Sequence, residues 1–598
     1  MTDTLLTGAE GVAWNLADLY AGMDDPAINR DLDACDAEAA ALGEMYRGRV
    51  ADLSAAELAA LLTRYEMLVE LAGKLGSFAG LNWTQNTEDP ARGALMQRVS
   101  ERSARVSQQL VFLDLELANA PDAAAQAWLA DPALARWQHW LQLVRIFRPH
   151  LLSEPEEKLL TEKSVTGREA WTRFFEEAHG AARFELDGET LTRDQVLSKL
   201  YALDRPLRER AAAALTAGLR AMQRTNTYIF NTLLADKASD DQMRSYSSWI
   251  NGRNLSNQVD DATVNALVDA VTARYDIVAR YYRLKRRLLG VDELFDYDRY
   301  APLPAADHFY PWEQARAIVL AAYGNFHPRM AAIAAQFFDG WIDAPPRPGK
   351  MGGAFSHSTV PSVHPYILLN YEAKPRDVMT LAHELGHGVH QKLSGGQGVL
   401  QADTPLTTAE TASVFGEMLV FQALMAQESD PAARLGLLTS KIEDSIATSF
   451  RQISMNRFED AMHTARRSEG ELTTERFNEL WQATQRAMFG DSVTLTEDYG
   501  LWWSYVPHFI NTPGYVYAYA FGELLVLALY ARYQQDNAGF PERYLTMLSA
   551  GGSQWPTELV KPLGVDLTDP GFWHAGLSLL EDMVKQAEEL AAMIGFDE

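Results

Sequence analysis

The sequence predicts a mainly helical fold with one small sheet. Three segments in the N-terminal part are long, rich in Ala and Leu, and carry apolar side chains at helical spacing; they are residues 31–47, 55–79 and 90–117. Apolar side chains also recur every 3.6 residues from Val378 to Val389, between Pro375, which suits a first helical turn, and Gly395, which suits an exit. Segments typical of strands are short and few, so we expect helices to form most of the protein.

The strand patterns occur in two places. A hairpin is predicted at residues 184–191, where two short segments flank Asp187-Gly188, a dipeptide typical of tight turns. Residues 351–356 and 366–371 also have the strand pattern, and they precede the helix just described. We therefore expect a small sheet beside that helix.

The length of 598 residues is enough for three or four domains. We predict three consecutive regions: a helical region of residues 1–110, a helical region with the hairpin in residues 111–200, and a third region of residues 201–598. The sequence shows no fixed-period repeat, low-complexity tract or flexible linker. The N-terminal helices are therefore expected to pack onto the third region.

Charge and cysteine usage exclude several classes of protein. The net charge of −27 argues against nucleic acid or anionic membranes as partners, because both require basic surface. The single cysteine, Cys35, cannot form an intrachain disulfide and indicates a reducing compartment. The first ten residues lack a basic segment followed by an apolar one, so we expect no signal peptide and predict the cytoplasm. No run of eighteen apolar residues occurs, so no membrane span is expected.

The most informative motif is His383-Glu384-Leu385-Gly386-His387 inside the predicted helix. Residues four apart share a helix face, so His383 and His387 can present imidazole nitrogens to one metal ion. Glu384 lies about 60° around the helix from His387, beside the metal rather than on it, where a general base for a zinc-bound water belongs. The alternative is a chance match to a five-residue pattern, which the helical context makes less frequent.

A third ligand is predicted from the sequence that follows the motif. A metzincin would have histidine where Leu393 stands, and a thermolysin-like enzyme would have glutamate where Thr407 stands. The next glutamates, Glu410 and Glu417, are seven residues apart on one face of an apolar helix that begins near Thr404-Pro405. We predict that Glu410 is the third zinc ligand and that Glu417 orients a ligand histidine. An ordinary buried salt bridge is the alternative for Glu417.

These residues resemble oligoendopeptidase F and the thimet-oligopeptidase-like zinc metallopeptidases. The resemblance covers about two-thirds of the chain well and the first hundred residues loosely. It is carried by the motif that runs on to His390, by the Glu410-to-Glu417 segment, and by further matches at residues 349–356, 507–509 and 515–520. The family implies a two-lobed helical body with a deep central channel that admits short unfolded peptides and excludes folded proteins. It also implies one zinc ion per chain.

Substrate contacts are predicted upstream of the zinc helix. Gly353 and Ala354 lie in a glycine-rich strand segment that could pair with an extended peptide through backbone hydrogen bonds, although a turn needed only for folding would have the same pattern. The resemblance favours the substrate role, since the family places this segment along its cleft. His357 lies nearby and is a further candidate for contacting substrate, as is His364.

Donors to the tetrahedral intermediate are predicted downstream. From a helix start at Thr512-Pro513, Tyr515 and Tyr519 share one face while Tyr517 faces away, and His508 precedes them by a short loop. Tyrosines at this spacing can equally be packing residues. The resemblance favours the catalytic role, because the matching histidine and tyrosines line the family's active site.

We predict a zinc-dependent oligoendopeptidase that hydrolyses internal bonds of short unstructured peptides, with Glu384 activating the zinc-bound water. The partners expected are therefore peptide substrates, without nucleic acid or membrane. Two alternatives stay open. A zinc carboxypeptidase on a similar scaffold would need a site for a free C-terminal carboxylate, and a peptide-binding protein would use zinc without catalysis.

Overall fold

The computed structural model describes residues 6–303, 308–535 and 537–596. It is 71% helical with only small sheets, which confirms the mainly helical prediction. In the part of the chain so described, no helix is both long and apolar enough to cross a membrane. The first five residues, on which the expectation about a signal peptide partly rests, lie outside the described residues.

The chain divides into two compact units, each built from three separate segments. The first unit comprises Met1–Arg148, Asp307–Gln427 and Arg532–Asp566, and the second comprises Pro149–Ala306, Glu428–Ala531 and Leu567–Glu598. The three consecutive regions proposed above stay a prediction.

The described residues form the following helices. The first twelve are α1 (Pro26–Tyr46), α2 (Ala55–Gln85), α3 (Pro90–Asn119), α4 (Asp122–Ala130), α5 (Gln138–Ile146), α6 (Glu154–Ser164), α7 (Arg168–Ala181), α8 (Arg193–Lys199), α9 (Arg205–Met243), α10 (Asn251–Ser256), α11 (Asp261–Thr272) and α12 (Tyr275–Leu288). The others are α13 (Trp312–Phe326), α14 (Pro328–Phe337), α15 (Pro375–Ser394), α16 (Leu406–Ala409), α17 (Thr411–Gln427), α18 (Pro431–Ser445), α19 (Arg451–Glu469), α20 (Thr474–Phe489), α21 (His508–Asn511), α22 (Tyr517–Gln535), α23 (Phe540–Ser549), α24 (Pro556–Val560) and α25 (Pro570–Met593).

The N-terminal helices begin where the sequence supplies caps. Asp25, Ser54 and Asp89 each accept a hydrogen bond from a backbone N–H of the first turn of α1, α2 and α3. Proline occupies the first position of α1 and α3, where its missing N–H is not needed. The three predicted segments are therefore confirmed as helices, and their apolar stripes form a core of the first unit that includes Leu58 and Leu61.

A hairpin in the second unit matches the prediction. Strand β1 (Phe184–Leu186) pairs antiparallel with β2 (Glu189–Leu191). Asp187 and Gly188 between them have φ angles of 54° and 86°, and positive φ at both central residues is what a type I′ turn requires. The Asp-Gly dipeptide therefore fixes this turn.

The second sheet lies in the first unit and has three strands, β3 (Ile342–Asp343), β4 (Phe355–His357) and β5 (Tyr366–Leu368). Their order is β3-β5-β4, with β3 parallel and β4 antiparallel to β5, so β4 is an outer strand of this sheet. The strand predicted at residues 351–356 begins only at Phe355 in the structure. Gly353 has a φ of 80°, which is outside the extended conformation that a strand requires. The two-residue strand β3 has no pattern that the sequence could reveal.

Candidate active site

The helix α15 carries the zinc-peptidase motif and is held by its apolar face. Val378, Leu381, Ala382, Leu385 and Val389 are fully buried, as the 3.6-residue period predicts. The helix begins at Pro375 and ends before Gly395, which confirms both predicted boundaries. Because one face is fixed in the core, the position of the opposite face is fixed too.

The helix α17 lies against α15 at backbone distance. A Cβ atom placed on Gly386 would lie 2.4 Å from the carbonyl oxygen of Ala412 and 2.6 Å from the Cα atom of Ser413. Only glycine allows so close an approach. The contact brings the start of α17, and with it Glu410, next to the motif.

Glu410 stands at a break that the sequence pattern does not show. The helix predicted from Thr404-Pro405 onward is divided into α16 and α17, with Glu410 between them at φ −83° and ψ 0°. The Glu410 carbonyl oxygen still accepts the N–H of Val414 at 3.2 Å, so α17 begins immediately after it. The prediction of one continuous helix is therefore wrong, while the expected contact of Glu410 with the motif is present.

Three side chains converge as a possible metal site. One ligand atom from each of His383, His387 and Glu410 lies within 4.8 Å of the other two. Oε2 of Glu410 is 3.3 Å from Nε2 of His383 and 3.4 Å from Nε2 of His387. Ligands at the usual zinc distances of about 2.0–2.1 Å in a tetrahedron stand about 3.4 Å apart. Both the donor set and its spacing therefore fit zinc.

Two further side chains hold these candidate ligands. Oε2 of Glu417 lies 3.3 Å from Nδ1 of His383, on the side of the ring away from Glu410. The Ser413 hydroxyl donates to Oε2 of Glu410 at 2.6 Å. Burial raises the pKa of Glu410, but His387, His383 and Ser413 outweigh it and lower that pKa to about 2. Glu410 is thus ionised at neutral pH, as a ligand must be.

Glu384 is buried beside this group, with 6% of its surface exposed. Burial raises the pKa of Glu384, and the two neighbouring histidines partly oppose the rise. Its side chain reaches a cavity of about 580 Å³, hereafter the site cavity. Other residues that line the site cavity are Ala354, Ser356, His383, His387, His390, Gln391 and Asp403.

The strand β4 forms one wall of the site cavity. Ala354 and Ser356 line it, and the space around Gly353 is open, since no heavy atom lies within 4 Å of a Cβ placed there. His357 is engaged elsewhere: Nε2 of its ring is 2.9 Å from the Ser77 hydroxyl. The structure therefore brings Ala354 to the cavity but directs the His357 ring toward the N-terminal helices.

The remaining two histidines of this region are packed in the interior. His364 stacks on Trp341 with ring centroids 3.7 Å apart, and its Nε2 lies 3.0 Å from Asp18. His390 is buried, and burial lowers its pKa to about 3, so the ring is neutral. His390 lines the site cavity without joining the possible metal site.

The residues predicted to act on the tetrahedral intermediate form a cluster in the second unit. Nε2 of His508 lies 3.3 Å from the Tyr519 hydroxyl, and the Tyr515 and Tyr519 rings are 4.9 Å apart. The helix begins at Tyr517 rather than at Thr512-Pro513, so that predicted boundary is wrong. Tyr517 faces away, as expected, and its hydroxyl accepts a hydrogen bond from Asn257 at 2.9 Å.

Glu459 anchors the loop that carries Tyr515. Oε1 of Glu459 accepts the N–H of Gly514 at 2.8 Å, and Gly514 has a φ of 74°, which turns the chain before α22. Glu459 is fully buried, and burial raises its pKa to about 8 against the opposing charges of Arg253 and Arg457. No sequence pattern indicates the role of Glu459, because its partner Gly514 is 55 positions away in the chain.

The sequence analysis also did not identify Gln391 as a site residue, although its spacing from the motif histidines could have indicated it. It follows His387 by four positions and therefore lies on the same face of α15 as both motif histidines. Its side-chain oxygen accepts the Ser356 hydroxyl at 2.8 Å, and its amide donates to the Ser356 carbonyl at 3.2 Å. Gln391 thus fastens the outer strand β4 to the helix that carries the motif.

Several known proteins are similar to this chain. It is 27% identical over 587 residues to the Bacillus subtilis protein named Oligopeptidase PepF, which covers 96% of this chain and 87% of that protein. A crystal structure from Chlamydophila abortus matches with a TM-score of 0.87 at 22% identity, over 97% of this chain and 98% of that one. The oligoendopeptidase-F structure from Enterococcus faecium matches with a TM-score of 0.71 at 24% identity, over 94% and 99%. At these identities the two structures show the fold alone.

Two family models match successive parts of the chain. Residues 116–184 match the model described as Oligopeptidase F. Residues 198–579, which are more than half of the chain and include the whole possible metal site, match the model of peptidase family M3. The chain therefore belongs to peptidase family M3, a family of metallopeptidases that act on peptides.

Proposed function

We propose that this chain is a zinc-dependent oligoendopeptidase that hydrolyses internal bonds of short unstructured peptides. The observation that carries the proposal is the grouping of His383, His387 and Glu410 next to the cavity that Glu384 reaches. His383, His387 and Glu410 supply three nitrogen and oxygen ligands, and Glu384 is buried beside them without joining the set. Three protein ligands with an adjacent carboxylate are the pattern of a catalytic zinc site rather than of a structural one.

The residues of the possible metal site fit a zinc ion. His383, His387 and Glu410 would hold it, with Glu417 fixing the ring of His383 through Nδ1. When bound, zinc supplies Lewis-acid polarisation of the scissile carbonyl and lowers the pKa of a water molecule toward about 7.

Glu384 is the proposed general base. Its raised pKa makes the carboxylate a better proton acceptor than an exposed glutamate. It would take the proton of the attacking water and deliver the proton to the amine of the leaving fragment, so that the carboxylate is regenerated in each turnover. The buried position keeps bulk water from competing for this proton.

The segment Gly353-Ala354, immediately before β4, is the proposed platform for substrate. An extended peptide can pair with an outer strand through backbone hydrogen bonds, which binds peptides without reading their side chains. No heavy atom lies within 4 Å of a Cβ placed on Gly353, and this open space allows a substrate backbone to come close. The names of the Bacillus subtilis and Enterococcus faecium relatives support oligopeptides as the substrate class.

The proposed hydrogen-bond donors to the tetrahedral intermediate are His508, Tyr515 and Tyr519. The support is the family resemblance and their mutual contacts. A phenol is a neutral hydrogen-bond donor at pH 7, and the adjacent imidazole is kept neutral because burial lowers its pKa.

The proposal is tested by Glu384→Gln. We expect this variant to keep one zinc per chain and to lose turnover by a factor of about 10² to 10⁴, because the amide cannot accept the proton. Zinc content is measured by atomic absorption, and kcat with an internally quenched peptide. The matched control is Glu44→Gln, which changes an exposed glutamate of α1 in the same unit. Near-normal kcat in Glu384→Gln at full zinc occupancy would remove Glu384 from the mechanism.

A further inference from the structure

The charged side chains of the site cavity leave one negative charge without a counterpart. Its lining contains Glu384 and Asp403 as carboxylates, together with the three histidines, and neither Lys nor Arg. Glu384 is assigned to proton transfer. Asp403 is not part of the possible metal site and has no part in the proposed chemistry.

The Asp403 side chain is exposed and, within the described residues, makes no hydrogen bond or ion pair. The charge of Asp403 acts on the ring of His357. Burial lowers the pKa of His357, which the Asp403 charge only partly opposes, and its Nε2 already contacts Ser77. A neutral imidazole does not compensate the carboxylate. The negative charge therefore faces the space in which we place the substrate.

The segment that carries Asp403 is firmly held. Gln401 is 3% exposed, and its side chain accepts the N–H of Trp140 at 3.2 Å and donates to the carbonyl of Arg136. The carbonyl of Gln401 accepts the N–H of Gly552 at 2.9 Å. An anchor two residues away keeps the backbone of Asp403 in place at the cavity wall, and a preorganised charge binds a partner at lower entropic cost.

Asp403 also lines a second cavity of about 270 Å³. Ala402, Ser394 and Gln391 are shared between the two, so the second cavity adjoins the site cavity. Its walls include the apolar side chains of Val360 and Val399. These apolar walls match the aliphatic stem of a long side chain. Lys392 also lines the second cavity, and its ammonium lies 5.5 Å from the centroid of the Trp341 ring.

We propose that Asp403 is a specificity-determining residue that binds a cationic group of the peptide substrate, an inference that rests on the proposed peptidase activity. The cationic group is the ammonium or guanidinium of a Lys or Arg side chain, or the free α-ammonium of the peptide. A charge-assisted hydrogen bond to this carboxylate favours a cationic peptide by about five- to tenfold in kcat/KM.

The experiment uses the zinc-loaded full chain and a set of octapeptides blocked at both ends. Each position in turn carries Lys or norleucine, which differ in charge but little in length, and one further arm compares the all-norleucine parent with and without its N-terminal acetyl group. The readout is the ratio of kcat/KM for each charged and uncharged pair. If the parent peptide is not cleaved by the wild type, the proposed peptidase activity fails, and that result is distinct from a failure of this inference.

We expect the wild-type ratio to exceed about five at one position, or at the free amino terminus, and the arm that responds identifies the source of the cation. In Asp403→Asn that ratio falls toward one, and in Asp403→Lys it falls below one. The matched control Asp339→Asn changes an exposed aspartate that does not line the site cavity, and it keeps the wild-type ratio. A wild type without preference for a cation in any arm, or an Asp403→Asn variant with the wild-type ratio, would overturn the proposal.

Discussion

Glu410 is the residue on which charge balance at the possible metal site depends. Its carboxylate faces both motif histidines and accepts the Ser413 hydroxyl, so it is ionised and fixed before any ion arrives. Glu417 has a different position, since its Oε2 lies 3.3 Å from Nδ1 of His383, the ring nitrogen that faces away from Glu410. The two glutamates of one segment are thus expected to differ in their effect on the metal.

In the proposed site, replacing Glu410 would remove a zinc ligand, whereas replacing Glu417 would only remove a contact that orients the ligand His383. We expect Glu410→Ala to lose zinc on dialysis and Glu417→Gln to retain it with affinity weakened by about 10- to 100-fold. Zinc is measured per chain after dialysis against a graded chelator. Unchanged zinc content in Glu410→Ala would refute its role as a ligand.

Glu459 gives the second unit a pH dependence with a defined sign. Its folded-state pKa of about 8 lies above the ordinary 4.5 of a glutamate, so the folded state keeps a proton that the unfolded chain releases. The contribution of Glu459 to the free energy of unfolding is fully present below pH 4.5 and is lost as the pH rises to about 8. Glu459→Gln cannot titrate, and it keeps an acceptor for the Gly514 N–H.

We therefore expect Glu459→Gln to gain stability relative to wild type as the pH rises from 5 to 8, by about 1 kcal/mol per pH unit. The measurement is the difference in Tm between variant and wild type across this range. Glu44→Gln serves as the exposed control and shows no such trend. A constant difference between Glu459→Gln and wild type would show that Glu459 is not protonated in the fold.

The residues that sequence reasoning reached are those linked by local geometry. His383, Glu384 and His387 follow from helix spacing alone, and Glu410 follows from testing the known third-ligand positions. Asp403 and Glu459 could not be reached, because their significance depends on what surrounds them in space. The catalytic roles of Glu384, His508, Tyr515 and Tyr519 stay predictions.

At the scale of elements, the site depends on how closely α15 and α17 approach. Gly386 is the point of contact, where a Cβ atom would meet the backbone of Ala412. Backbone cannot move aside as a flexible side chain can, so any side chain at this position pushes the helices apart. Separation of α15 from α17 moves Glu410 away from the motif histidines.

Gly386→Ala is expected to destabilise the fold by about 1–3 kcal/mol and to weaken zinc binding. The matched control is Gly76→Ala in α2, where no heavy atom lies within 4 Å of the added Cβ. Alanine there is expected to be neutral or to stabilise by up to about 1 kcal/mol. Equal Tm and zinc affinity in the two variants would contradict the close-packing account.

Long helices are predictable here because their caps and apolar stripes lie within the sequence itself, as α2 shows with its capping box at Ser54. Interruptions of helices are harder to predict from sequence. The break at Glu410 lies next to the close contact between Gly386 and Ala412. The late start of α22 at Tyr517 follows the turn at Gly514, which Glu459 holds. The strand β3 is fixed only by pairing with β5, so no local pattern marks it.

At the scale of the molecule, each unit draws on three separate segments and has its own core. The core of the first unit includes Leu61 from the N-terminal part and Leu368 from the sheet. The core of the second unit mixes aliphatic and aromatic side chains, with the Phe230 and Trp503 rings 4.7 Å apart. One sequence does not show which segments pack together in space. Hydrophobic patterning indicates that a helix face is buried, but it does not identify the element that covers that face.

The central claim is that the whole chain is a metal-dependent endopeptidase rather than a carboxypeptidase or a peptide-binding protein. The most direct measurement is mass spectrometry of the products from a mixture of oligopeptides blocked at both ends, before chelation, after chelation and after zinc is restored. We predict internal cleavage that disappears on chelation and returns with zinc. Trimming of free C-termini without cleavage of blocked peptides would contradict the claim in favour of a carboxypeptidase, and no cleavage of either would leave only a binding protein.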